Sequence, residues 1–354
     1  MKTALALASL TLLAASAHAA ERITEERPVG AFSKVEVSGP YRVVIHARGV
    51  AGVRVEGEAD TLARIETTLR GDTLVVRTLP RPSSRGFSWS WESTSPVVTV
   101  TAGVLQSVKA TGSGDVDIDQ LTGSGIDLAN TGPGNMHASG AVDKLDVRSS
   151  GSGDVDLTGL SSTSADLAMS GPGNVKLGPV GMGLKADVSG SGDLAGRQLK
   201  LDRLALRQSG PGNVQLGGNA RDFQLVQSGS GDLKACNLAV ESLNVVQRGP
   251  GNACVGGQIK EFAAEMRGSG DLTASTLQAQ HARLVISGPG NAKLGGTVTQ
   301  LDAVVRGSGS LEGKALLAAR AEVNATGPGD AELMLGDDRN RILTTWDRQG
   351  MKQR

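Results

Sequence analysis

The sequence predicts an all-β fold, a parallel β-helix or solenoid with about 20 residues per rung. Three observations point to it. A four-residue turn, Gly-Ser/Pro-Gly-Asp/Asn, is written twelve times from Gly112 onward, the copy at Gly307 ending in Ser310. Its serine and proline versions alternate at spacings of 20 and 19 residues, a strict 39-residue double repeat. Between turns the apolar residues alternate with polar ones, as in Val214, Leu216, Ala220, Phe223 and Leu225. That is the pattern of short strands between glycine breaks.

One rung of this length holds two or three short strands and cannot bury its own apolar face. Rungs must therefore stack and share a core. The inward set is aliphatic, for example Val155, Leu157, Leu160 and Leu167 in one unit. In Gly-Pro-Gly, proline suits the first central position of a type II turn, and the next glycine suits the second, where φ is positive. Leucine-rich repeats are the first rival, but no Leu-x-x-Leu-x-Leu-x-x-Asn string recurs. Helical repeats are the second, and interior glycines would cost each helix about 1 kcal/mol apiece.

Taken in order, residues 1–19 read as a secretory signal. Lys2 is the charged start, 4–15 the apolar stretch, and Ala17-His18-Ala19 the cleavage site. The apolar stretch is too short to span a bilayer, and no transmembrane segment is expected in the mature chain. Residues 20–30 form a polar leader. Residues 31–111 read as irregular starting rungs or a cap, with strands around Val35 and Val37, then Tyr41, Val43 and Ile45, then Val53 and Val55. Asp60 is placed to cap a short helix with Leu62, Ile65 and Leu69 on one face. A loop over 80–96 carries Phe87, Trp89 and Trp91. The repeats run over 112–335, and the charged tail 336–354 is the natural cap for the open edge. Counting every mature residue into rungs gives roughly 17, a rod near 80 Å long at about 4.8 Å each.

Lys and Arg number 36, as do Asp and Glu, so no global charge draws the chain to nucleic acid. Aromatic residues are 2% of the chain, too few for a base-stacking surface.

The Phe32-x-x-Val35-x-Val37 opening, Gly-Asp-Thr-Leu-Val-Val at 71–76 and the serial Gly-Ser-Gly-Asp turns resemble the bacterial head-GIN family. That family is a domain of unknown function labelled "putative auto-transporter adhesin". The resemblance covers most of the mature chain. It implies a β-helix on an exported bacterial protein, and it implies no catalytic residues.

The recurrent acids and amides stand at one corner: Asp115, Asp154, Asp193, Asp232 and Asp271, with Asn135, Asn174, Asn213, Asn252 and Asn291 between them. The column reads as a structural ladder, each side chain bonding its own turn's N–H groups and its stacked neighbours. A calcium column is the rival, but one carboxylate per two rungs is few ligands for a hard cation. Glycan cleavage is a second rival, since alternate carboxylates would lie on the order of 10 Å apart. Catalysis, however, needs carboxylates in unlike surroundings. A local break in the repeat, with His, Lys, Arg and Asp on adjoining rungs, is not visible in the sequence. His46, His137 and His281 read as surface residues.

Phe87, Trp89 and Trp91 form a ligand-binding surface if exposed and a plug for the first rungs if packed down. Cys236 and Cys254 are the two cysteines, and export favours oxidation. Stacked in register, their Cα atoms would lie about 8 Å apart, beyond the roughly 7 Å limit for a bridge. A disulfide therefore needs a local register shift. The expectation is an exported, non-enzymatic envelope or surface scaffold, periplasmic or secreted, without metal or cofactor, adhesin-like in binding a glycan or envelope protein. A polysaccharide-acting enzyme and a periplasmic partner-binding module are the alternatives.

Overall fold

The computed structural model describes residues 22–80, 95–335, 342–347 and 350–353. The signal at 1–19, the aromatic trio Phe87, Trp89 and Trp91, and tail residues 336–341 lie outside the described residues. The chain is a β-solenoid of about 11 parallel stacked turns of roughly 20 residues each. A representative rung, Val214–Gln227, pairs in parallel with Leu194–Gln208 on one side and Leu233–Gln247 on the other. Its inward residues Val214, Leu216, Ala220, Phe223 and Leu225 are buried in one continuous core. Each rung covers the apolar face that its neighbour could not bury alone.

The 20/19 alternation has a structural cause at one corner of the coil. Gly196 pairs with Leu216, but the next partners are Leu199 and Gly218, so the longer rung places one more residue at the bend. The same shift recurs between Ala274 and Leu277 against the shorter rung that follows. Four shorter rungs make the bend with a glycine of positive φ, Gly140, Gly218, Gly257 and Gly296; the shorter rung that opens at Gly171 has none. That region is open to glycine at little steric cost.

The Gly-x-Gly turn differs from the type II expectation. Gly210 and Gly212 do not have φ in the left-handed region. Their role is close approach. A Cβ on Gly210 would overlap the Gly190 carbonyl oxygen, and one on Gly212 would overlap the Gly192 carbonyl oxygen. The turns stack backbone on backbone, Gly212 N–H donating to Gly190 O at 3.2 Å. The serine or proline between the glycines points outward and is exposed.

Behind the turns sits a column of buried polar side chains that the hydrophobic pattern did not single out. Gln208, Gln227 and Gln247 are fully buried on successive rungs. Each Nε2 donates to the carbonyl of the second turn glycine four residues on, at 2.7, 2.7 and 2.5 Å. Asn130 does the same to Gly134 at 2.9 Å. Burying an amide costs free energy unless it is bonded; here the NH2 donors are bonded and brace the turn from inside, while the four amide oxygens are buried without a hydrogen-bond partner among the described residues.

The ends depart from the 17-rung rod. Residues of the first hundred leave the coil as antiparallel strands: Gly52–Glu58 against Val97–Thr101 and Arg22–Arg27, and Ile65–Arg70 against Thr73–Thr78. They cover the edges left by the first parallel strands. The helix expected from Asp60 to Leu69 is only Ala59–Leu62, and Asp60 lies in its first turn without capping it. Ile65, Thr67 and Thr68 are β-branched and join a strand instead. Leu62 is fully buried at this end of the core. At the other end Ala331–Leu335 pairs antiparallel with Ile342–Asp347. The part of the tail that is described thus extends the sheet.

Two glycine substitutions separate close approach from mere composition. Gly212→Ala should cost at least about 3 kcal/mol, because backbone on both sides must move. Gly183→Ala meets nothing within 4 Å and should change stability by less than about 0.5 kcal/mol. Chemical denaturation of the two variants beside the parent measures both; equal effects would contradict the stacking account.

Candidate functional site

The Asp/Asn column lies just beyond the second turn glycine, on the outside. Its bonding differs in one respect from the sequence expectation. Each Oδ1 reaches the main chain of the following rung rather than its own turn. Asp193 Oδ1 accepts from Asn213 N at 2.7 Å, and Asn213 Oδ1 accepts from Asp232 N at 3.1 Å. The chain of contacts starts at Asp115 and passes Asn135, Asp154 and Asn174 in the same way. It continues through Asp232, Asn252, Asp271 and Asn291 to the N–H of Ser310. Asn Nδ2 also donates back to the preceding Asp, at 3.0–3.2 Å for Asn174, Asn213, Asn252 and Asn291. Alternation lets every carboxylate have amide neighbours in place of another charge.

Beside the first four ladder residues runs a polar groove of about 470 Å³. The strand pairings fix its floor. Asp117 lies beside His137, His137 beside Asp156, and Asp156 beside Lys176, each one rung further along. Arg42 stands on the rung before Asp117 and binds it, Nε to Oδ2 at 2.7 Å. That is the one ion pair lining the groove among the described residues. Burial pushes the Asp156 carboxyl up, but the Thr158 hydroxyl and N–H, aided by His137 and Lys176, outweigh it. The result lies below the ordinary carboxylate range. His46 forms a second pair nearby, Nδ1 2.9 Å from Asp119 Oδ1.

The structure corrects the expectation that no local break interrupts the repeat. Arg, Asp, His and Lys do stand on adjoining rungs here. The signal was readable as the residue two positions after each ladder position, which runs Asp117, His137, Asp156, Lys176 and then Ala195 and Gln215. Register had to be known before these could be seen as one column. Among the described residues no three His, Cys, Asp or Glu side chains converge as a metal site, and no helix is long and apolar enough to cross a membrane.

Cys236 and Cys254 are joined by a disulfide, with Cα atoms 5.2 Å apart. The in-register separation expected from the sequence fails because the pairing shifts between Ala235 and Ala239, at the bend of the longer rung. Cys236 lies in the skipped stretch and folds over the next rung, where Gly256 lacks a Cβ that would meet the Cys236 carbonyl.

Asn213→Asp tests the ladder. It would set a third carboxylate about 4.8 Å from both Asp193 and Asp232 and remove the Nδ2 donor. The expected loss is about 1–3 kcal/mol at low salt, partly restored by added salt. Thermal melts at low and high ionic strength read it, and an unchanged melt at low salt would contradict the ladder.

No curated protein matches the sequence significantly. Solved structures with distant likeness include a "putative adhesin" from Bacteroides fragilis NCTC 9343, 20% identical, covering 88% of this chain and 96% of that one, with a TM-score of 0.29. A "putative lipid binding protein" from Parabacteroides distasonis ATCC 8503 is 15% identical over 87% of this chain and 98% of its own, with a TM-score of 0.35. A "putative adhesin" from Parabacteroides merdae ATCC 43184 is 16% identical over 88% and 96%, with a TM-score of 0.32. A family model matches residues 31–195, 181–260 and 257–338. The match takes in both the capped N-terminal end and the repeats, and the chain belongs to the family described as "putative auto-transporter adhesin, head GIN domain".

Proposed function

We propose that the protein is an exported, adhesin-like scaffold that binds a glycan or an envelope protein through the groove beside Asp115–Asn174, without catalysing a reaction. The observation that carries this reading is the set of charged groups on a fixed sheet that are not consumed by one another. His137 and Lys176 form no ion pair among the described residues, and the Thr158 hydroxyl and N–H lower the Asp156 carboxyl. Glycoside cleavage needs, beside an ionised carboxylate, a second one held protonated as general acid, and the lowered Asp156 does not fill that second role. A parallel sheet also holds these side chains before any ligand arrives, which lowers the ordering cost of association. Family membership supports an exported or surface setting. The expected signal at 1–19 and the aromatic residues Phe87, Trp89 and Trp91 are part of this proposal.

The test is a screen of the purified mature protein against envelope glycans, plant glycans and envelope proteins, with product analysis alongside. Binding without turnover is the expected result; turnover would favour an enzyme. The double variant Trp89→Ser/Trp91→Ser separates two roles for the aromatics. As a binding surface they should lose affinity with an unchanged melting temperature. As a plug their removal should cost about 3 kcal/mol or more, as for buried aromatics.

A further inference from the structure

We propose that the groove takes a neutral, extended β-1,4-linked glycan, laid along the solenoid axis with one sugar per rung. This names the ligand class for the binding function proposed above and rests on that reading.

The argument is a match of two periods. Successive rungs rise by about 4.8 Å. One pyranose of an extended β-1,4-linked chain advances nearly the same distance. Successive sugars in such a chain are turned over, so like edges recur at every second sugar. The groove has the same two-step period. Rungs bearing Asp115 with Asp117, and Asp154 with Asp156, alternate with rungs bearing Asn135 with His137, and Asn174 with Lys176. A carboxylate only accepts hydrogen bonds and an ammonium only donates them, while amide and imidazole do both. Alternate rungs thus differ in bonding character: carboxylates that only accept alternate with an amide beside an imidazole or an ammonium, which can donate to a sugar hydroxyl.

The run of four is broken on the next two rungs. The ladder continues, but its companion column changes to Ala195 and Gln215, and charge returns to that column only further along, as at Lys234, Lys293 and Glu312. A purely stabilising ladder of opposite charges would be expected to close its pairs. Here Arg42–Asp117 closes, while Asp156 bonds Thr158 instead of His137 or Lys176. Four carboxylates face two permanent cations and one histidine, so an anionic polymer would be repelled. Neutral hydroxyls suit a groove of mixed donors and acceptors. An α-1,4-linked chain curves and would leave the straight column after a sugar or two.

Titration calorimetry on the mature protein with β-1,4-linked glucose oligomers, from disaccharide to hexasaccharide, tests this. Affinity should climb with each sugar and level off at about four or five, the number of rungs in the groove. The α-1,4-linked glucose oligomers and an anionic galacturonate oligomer should bind at least roughly tenfold more weakly. Asp156→Asn keeps an oxygen for Thr158 but loses the charge, and should weaken the β-linked pentasaccharide by roughly tenfold with an unchanged melting temperature. Asp193→Asn makes the same exchange on the ladder outside the groove and should leave affinity unaltered. Equal binding of α- and β-linked chains, absence of a length dependence, or indifference to Asp156→Asn would overturn the inference. If β-1,4 oligomers fail while another screened glycan or protein binds and is lost in Asp156→Asn, the inference falls and the binding function stands. If nothing in the screen binds, both fall.

Discussion

The structure depends on how closely the turn backbones stack. At each Gly-x-Gly the main chain of one rung rests on the main chain of the rung before, with no room for a Cβ between them. The contact brings Gly212 N–H to Gly190 O and Val214 N–H to Asp232 O, so the ladder of backbone bonds runs through the turn as well as the strands. A solenoid whose turns were held apart by side chains would leave those N–H and C=O groups unpaired, each at a cost of about 1–3 kcal/mol. The same closeness creates a problem. Two glycines per turn contribute no side chain to hold its direction, and glycine loses more conformational freedom on folding than other residues. The Asp/Asn column outside and Gln208, Gln227, Gln247 and Asn130 inside supply the missing restraint by bonding turn main chain from both faces.

With the turn column held by the ladder, the outward positions of the first strands are not needed to hold the turns. They sit at a constant spacing on a rigid surface, and their identities can vary without touching the core. That is how one stretch of the coil carries Asp117, His137, Asp156 and Lys176 while the next carries Ala195 and Gln215 in the same positions. The Cys236–Cys254 bridge uses a different freedom. It lies at the bend where longer rungs carry their additional residue, so two side chains that the strand register would keep apart are brought together.

Much of the fold was legible because the repeat imposes it. The inward residues, the parallel rungs and the ladder alternation follow from spacing and from the two-residue period of strands. Four features were hidden for physical reasons. The purpose of Gly210 and Gly212 depends on the neighbouring rung, and local turn rules assign Gly212 to positive φ instead. The end of the coil at residues 52–101 depends on which strands pair antiparallel, which Ile65, Thr67 and Thr68 do not announce. The groove depends on register: Arg42 and Asp117 are 75 residues apart in sequence yet form an ion pair. The buried glutamines were passed over because polarity predicts exposure unless a partner is known, and their partners are main-chain carbonyls.

Amide hydrogen exchange at the turn column tests the central claim most directly. Asn213 and Asp232 are polar residues at the surface of the coil, and their N–H groups donate to the ladder oxygens of the preceding rungs. If the turns stack as described, these amides should exchange as slowly as core-strand amides such as Leu216 and Leu225, opening only with global unfolding. Exchange at the rate of an unbonded surface loop, with the strands still protected, would contradict the account.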